Sequence, residues 1–283
     1  MTVIGDSNAV RIEGRQLAQH QAALTVLQRL LSAPGIRRLT WLDLACGRGQ
    51  ILGGLRNNLS DDARAKIEFF AYDIKHDYLL ETRKTAAALG FASVSGDVGD
   101  LSNFDRVLPT DKRFDFITLT NTVHEVAAER LADVLVDAVR RLDDRGTVFV
   151  YDMERIKPPE LGALPFSADD FRSVALALLR ALSNEEYRPE VSRWEHTSVN
   201  GWNVQIQREY ISATPQELET RRTQTVRNTR DAILEVLHRR LKECRATLEA
   251  LTIYGAETAE EQEDREHLLH ELWAITRALE ASA

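Results

Sequence analysis

From Arg38 to Met153 the chain alternates short runs rich in Val, Ile, Leu and Phe with segments of helical periodicity. In order these are RLTWLDLA, a helix from Gln50, KIEFFAYDI, DYLLETRKTAAALG, ASVSGDV, RFDFITLT, AERLADVLVDAVRRL and GTVFVYDM. Strands apolar on both faces need cover on both sides, and helices placed between them supply it. The pattern therefore predicts an α/β fold built on a parallel sheet. With 283 residues, 43% of them apolar, the chain can bury a core of that size.

The pattern then changes. After a KPPE loop and a helix over SADDFRSVALALLRALS, the stretch VSRWEHTSVNGWNVQIQREYI reads as two alternating strands around Asn200-Gly201, a pair suited to a type I′ turn. The expected sheet is seven-stranded and mostly parallel, with an antiparallel C-terminal hairpin strand and helices on both faces. Upstream, Leu17, Leu24, Leu27 and Leu31 share one helical face that SAPG ends. Beyond Pro215, Leu234, Leu237, Leu241, Cys244, Leu248 and Leu251 recur at three- and four-residue spacing, IYGAET interrupts, and Leu268, Leu272, Ile275 and Leu279 resume. That describes a coiled-coil-like α-helical hairpin. Its first arm (215–251) has eight basic and six acidic residues and its second (256–283) two basic and eight acidic, which favours antiparallel pairing. The start of the first arm, RRTQTVRNTR, is polar all round and is either solvated or meets a partner. The division expected is an N-terminal helical cap (1–37), a central domain (38–213) and a hairpin appendage (214–283).

Charge and cysteine usage narrow the function classes. A net charge of −8 gives no basic excess to neutralise a phosphate backbone, so nucleic acid is a weaker expectation than a small molecule or a protein. The N-terminal MTVIGDSNAV has no charged and apolar leader pattern, and the apolar stretch at VALALL is too short to span a bilayer. A cytoplasmic protein without a membrane partner is expected. Cys46 and Cys244 match no thiolate metal spacing or disulfide framework. His267 and His270, near Glu263 and Glu266, lack the H-E-x-x-H pattern and read as the wet side of the second arm, so no metal is expected.

The chemistry begins at WLDLACGRGQ, a buried strand that runs into Gly47 and Gly49. Glycines there let main chain approach a ligand where a Cβ would collide. No Gly-Lys-Ser/Thr follows, which excludes a P-loop. The dinucleotide pattern G-x-G-x-x-G has Leu52 at its third position, with Gly53 one residue late.

LDLACGRGQ resembles motif I of the class I S-adenosylmethionine-dependent methyltransferases, and the resemblance extends over roughly residues 38 to 212. FFAYDI resembles the second strand of that family, SGDV the third, and FDFITLTNTVHEV the fourth strand and the loop after it. The antiparallel strand near the end of the sheet matches too. The resemblance implies S-adenosyl-L-methionine as cofactor, with Asp73 on the ribose hydroxyls and Asp97 facing the adenine amino group. It further implies Asp43, Ala45, Gly47 and Gly49 at the first loop, Ile74 and Val98 beside the two acids, and Asn121 after the fourth strand. In plant-type O-methyltransferases a histidine in an LHDW stretch takes the acceptor proton. VHEV resembles it and makes His124 a candidate general base, with no clear orienting acid beyond Glu125. Tyr151, Asp152 and Glu154 follow the fifth strand and are candidate substrate contacts, acidic enough to hold an amine. The absence of Asp/Asn-Pro-Pro-Tyr/Phe after the fourth strand argues against methylation of exocyclic base amines.

The reaction implied is methyl transfer to an oxygen or nitrogen of a small-molecule or protein acceptor. Two other readings remain open. One is a methyltransferase-fold subunit that joins an assembly, or a second copy of itself, through residues 214–283; the other is a nicotinamide-dependent (NAD(P)) oxidoreductase.

Overall fold

A computed structural model describes residues 18–184, 187–195, 200–254 and 258–282. In chain order its elements are α1 (Ala18–Leu31), β1 (Leu39–Leu44), α2 (Leu55–Asn58), α3 (Asp61–Arg64), β2 (Ile67–Asp73), α4 (His76–Ala88) and β3 (Ser93–Val98). There follow α5 (Phe104–Val107), β4 (Phe114–Thr120), α6 (Ala128–Arg140), β5 (Leu142–Met153) and α7 (Ala168–Leu182). The chain continues with β6 (Glu190–Glu195), β7 (Asn200–Gln207), α8 (Pro215–Tyr254) and α9 (Ala259–Ser282).

The seven strands form one sheet in the order β3-β2-β1-β4-β5-β7-β6. The first five in that order run parallel, and β7 pairs antiparallel with both β5 and β6. From β1 the chain steps outward to β3 and then returns to the other side of β1 at β4. Strand order therefore reverses between β1 and β4, which opens a crevice beyond their carboxyl ends. Trp41 fixes the middle of the sheet. Its ring meets Phe69 edge-on at 5.0 Å between centroids, its Nε1–H donates to the Thr118 hydroxyl at 2.9 Å, and burial of so large a side chain contributes about 3 kcal/mol.

Two local expectations change. No long helix follows Gln50: a single 3-10 turn (Gln50–Leu52) leads to α2 and α3, four residues each. Gly53 and Gly54 separate the turn from α2, and Gly54 has φ +79°, a left-handed value no helix interior holds. Asn200-Gly201 is not the hairpin turn. Asn200 pairs with Glu195 and Gly201 with Trp194, so both belong to β7; residues 196–199 lie outside the described residues. Gly201 is needed because a Cβ there would come within 2.7 Å of the Tyr151 hydroxyl, where Tyr151 stacks on Trp194. The first half of the expected N-terminal cap, including Leu17, also lies outside the described residues.

The helical pair at the C-terminus is a layer of the fold and not an appendage. Ile233, Val236 and Leu237 are buried in the same core cluster as α6 and α7. The polar start of α8 finds its partner within the chain: Arg222 donates to Asp133 and Asp137 (2.6–3.0 Å), and Arg230 to Asp133 and the Glu129 carbonyl (3.2 Å). Most of the paired basic groups of α8 thus serve α6 and α7, while Arg240–Glu271 links the two arms. His267 is half-buried with Nδ1 unpartnered, so it does not sit on a wet face. No described helix is long and apolar enough to cross a membrane.

Candidate active site

The crevice at the strand reversal holds a cavity of about 700 Å³, within the range of small-molecule sites. Loops after β1, β2, β3 and β4 line it, and His20 reaches it from α1.

Main chain makes the first wall. Cys46 N–H continues the ladder to the Tyr72 carbonyl (3.0 Å), and Gly49 N–H closes the turn on the Cys46 carbonyl (3.0 Å). Ala45, at φ +54°, and Asn121, at φ +53°, are the two non-glycine residues with left-handed φ among those described, and both line the cavity. Each costs about 1–2 kcal/mol, a strain that persists only where surrounding structure enforces it, as around ligand sites. Gly47, at φ +52°, also lines the cavity, and a Cβ on it would stand 3.0 Å from Gln50 Oε1. Gly49 has a different task. Its Cα faces Thr82 on α4, which a Cβ would approach to 3.1 Å.

Asp73 ties the first two loops together. Its Oδ2 accepts from Gly47 N–H and its Oδ1 from Lys75 N–H, both at 2.8 Å. Each oxygen keeps a lone pair, so the carboxylate can still take two O–H donors from the cavity. Ile74 beside it is 64% exposed and offers an apolar face to the same space.

Three expected contacts lie elsewhere. Asp43 is fully buried behind the loop, where Oδ1 accepts from the Thr118 hydroxyl at 2.6 Å and Oδ2 has no partner. Burial, with Asp73 adding repulsion against the relief from Thr118, pushes its carboxyl up to about 7. Asp97 and Val98 are exposed on the edge strand β3 and do not line the cavity; Gly99, Asp100 and Ser102 do. The chain turns inward only after Val98, where Gly99 N–H bonds the Asp73 carbonyl at 3.0 Å. Asp100 Oδ1 accepts from both Ser102 N–H (2.8 Å) and the Ser102 hydroxyl, which hold its carboxyl below the usual range.

At the far end, a turn (Val123–Glu125) follows β4 and carries His124 into a buried position. His124 Nδ1 lies 2.7 Å from Asp152 Oδ1, and His124 N–H donates to Asp152 Oδ2 at 3.0 Å. Met153 N–H also donates to Oδ1 (2.8 Å), so the fully buried Asp152 is held as an acceptor. Asp152 is therefore the orienting acid that the sequence did not reveal, and not a group at the mouth of the site. With Nδ1–H directed at Asp152, the lone pair falls on Nε2, which has Glu125 Oε1 at 3.8 Å. Burial opposes protonation of this ring, but Asp152, with Glu125 and Glu160 beyond it, outweighs burial and raises its pKa.

Neither remaining candidate faces the cavity. Tyr151 is buried against Trp194, and Glu154 Oε1 accepts from Ala168 N–H at 3.2 Å, at the start of α7. Tyr151 is in the last parallel pair of β5, opposite Thr120, and Glu154 follows the strand at the start of the segment 154–167. That segment covers His124, with Leu164 N–H on the His124 carbonyl at 2.8 Å, and it brings in Glu160. Sequence reasoning missed Glu160, Lys75, Tyr78 and Arg130; a KPPE loop and scattered charges carry no signal of convergence.

Comparison with known proteins supplies the family. Residues 37–212 match the model of a methyltransferase domain. No curated protein matches. Among solved structures, the chain is similar to magnesium protoporphyrin IX methyltransferase from Synechocystis with bound S-adenosylmethionine (14% identity, 67% of this chain and 79% of that one, TM-score 0.47). It is also similar to an rRNA methylase from Streptococcus thermophilus (11%, 68% and 96%, 0.45) and to TehB from Haemophilus influenzae (13%, 66% and 62%, 0.46).

Proposed function

Since the chain belongs to the methyltransferase domain family, we propose that it binds S-adenosyl-L-methionine in the crevice and transfers the methyl group to an oxygen or nitrogen acceptor. The observation that carries this reading is the cradle at Ala45–Gly47 with Asp73 across it: strained main chain on one side, a carboxylate with two spare lone pairs on the other. Such a carboxylate suits a ribose diol, and the exposed Ile74 suits a flat apolar base. Asp100 and Ser102, which line the cavity where Asp97 and Val98 do not, suit the adenine end of the site.

S-adenosylmethionine supplies a methyl already activated on a sulfonium, so the protein's task is to hold the donor and aim an acceptor. Asn121 and Thr122 continue the wall toward His124, and Glu125 faces the same cavity. An acceptor hydroxyl or amine must give up a proton. His124 meets that need: Asp152 fixes its tautomer and leaves the Nε2 lone pair toward Glu125. The acceptor is a small molecule or a protein, and the acidic chain makes nucleic acid the weaker expectation.

Incubation of the purified protein with labelled methyl donor and a native lysate, then separation of protein, nucleic-acid and small-molecule fractions, tests the reading. Label that enters one fraction only with the protein present supports it. Absence of S-adenosylmethionine binding by calorimetry refutes it, and tighter binding of a nicotinamide dinucleotide would favour the oxidoreductase.

A further inference from the structure

The proton-acceptor role uses one nitrogen of His124 and leaves Glu125 and Glu160 without a task. Their donor atoms and the imidazole lie within 4.8 Å of one another, the one such group of three among the described residues. Two carboxylates set against each other and close to buried Asp152 repel when nothing stands between them. Such a cluster is stable when a cation sits in it.

We propose that His124 Nε2, Glu125 and Glu160 form a binding site for one divalent transition-metal ion at the acceptor end of the crevice. Three features favour a metal ion over an organic cation. Nδ1–H of His124 is held by a carboxylate at 2.7 Å, the second partner that metal-bound histidines usually have, and it presents Nε2 as a lone pair. The ring is 4% exposed, and at 3.8 Å the Glu125 oxygen is too far for a hydrogen bond to Nε2, so the lone pair of that nitrogen is available to an ion in the cluster. Donors around an ion with bonds of about 2.1 Å stand about 3 to 3.5 Å apart, a closure of little more than an ångström from the observed spacing. One imidazole with two carboxylates suits Mn²⁺, Fe²⁺ or Zn²⁺. Three protein ligands leave positions open toward the cavity that Glu125 lines. An acceptor hydroxyl on the ion would have its pKa lowered and release its proton to solvent. This inference rests on the crevice reading and refines it. With the ion bound, Nε2 is a ligand and the ion acidifies the acceptor; without it, Nε2 takes the proton itself.

The test uses the full-length, untagged protein, stripped with chelator and titrated with Mn²⁺ (followed by the resonance of the free ion) and with Zn²⁺ by calorimetry. One ion per chain is expected, bound at least about tenfold more weakly by Glu125→Gln and by Glu160→Gln, and not measurably by His124→Ala. Should His124→Ala fail to fold, the two glutamine variants decide. Less than about a tenth of an ion per chain at 1 mM (~1 mM being the upper end of functional metal affinities), or binding equal to wild type in both glutamine variants, overturns the proposal. S-adenosylmethionine is titrated into the same samples: nucleoside binding without the ion refutes the metal site alone, and ion binding without the nucleoside refutes the crevice reading alone.

Discussion

At the β1–β2 end of the crevice the cavity wall is main chain. Left-handed Ala45 and Gly47 stand just after β1, and one carboxylate, Asp73, accepts from the N–H groups of Gly47 and Lys75. At the β4–β5 end the wall carries Glu125, and the groups gathered beside it, His124 and Asp152 buried among them, are side chains from distant points. His124 comes from one loop, Asp152 from the next strand, and Glu160 from a segment that α8 and α9 pin in place. A wall of main chain can be read from local sequence because glycine spacing records it. A constellation of side chains cannot, because nothing local records which loops meet. The two ends should also fail differently when mutated.

The largest effect is expected at the first end. Gly47→Val puts a β-branched residue at φ +52° and a Cβ against Gln50, at a cost of about 2 kcal/mol, and it fills the cradle. Asp73→Ala removes the acceptor of two N–H groups that hold both loops, about 3 kcal/mol for charge-assisted bonds. Each variant should bind S-adenosylmethionine at least about a thousandfold more weakly by calorimetry, a loss of about 4 kcal/mol. Wild-type affinity in both would show that the cradle is only a turn.

How much was legible follows the same division. The α/β class followed from alternation, and the turn at Gly47 from one strand–glycine pattern, since burial on both faces leaves strands few choices; Asp73 came from the family resemblance. Asp97 does not line the cavity, because the inward turn comes after β3 ends, at Gly99 and Asp100. The place of Asp152 at the end of β5 is legible in the sequence, but the direction of its side chain, toward His124, is not. The C-terminal helices misled for a related reason. Periodicity showed a seam between two arms, but Ile233 and Val236 face α6 and α7, and only packing reveals that.

The second end should respond in stability before activity. Asp152→Asn replaces an acceptor of three N–H groups with one that brings its own donor, and breaks a buried pair with His124, at a cost of about 3 kcal/mol. The loss should depend on pH. The pKa of His124 is raised in the folded state, so its contribution is complete below about 6.5, the unfolded value, and fades as pH rises through the folded one. Urea denaturation should therefore show a larger gap between wild type and variant at pH 6 than at pH 9. An equal gap would remove the charged pair from the account.

Asp43 sharpens the comparison from beneath the sheet. Its carboxyl, at 3.8 when unfolded, is pushed up to about 7 in the fold, so its contribution is complete below about 3.8 and lost as pH rises to about 7. Asp43→Asn stays neutral. Between pH 5 and 8 wild type should lose about 2 kcal/mol more than the variant, measured as unfolding free energy in urea. Parallel profiles would mean that Asp43 is charged throughout.

The smallest effect concerns what holds the second end closed. Arg155 pairs with Asp264 (2.6 Å) and Lys157 with Glu263 (2.9 Å), both partly exposed, while the Arg240 Nη1–H donates to the Pro165 carbonyl from a buried position. Exposed pairs contribute at most about 1 kcal/mol each, so Asp264→Asn should change global stability by less than that. Its local consequence is larger than its global one, because Arg155 precedes the loop that carries Glu160 while the folded core lies elsewhere. Amide exchange across 155–164 should accelerate several-fold with no change over β1 to β4. Unchanged exchange in the loop would assign its hold to Arg240 and the Leu164–His124 bond, and leave α9 as a cover for α8 alone.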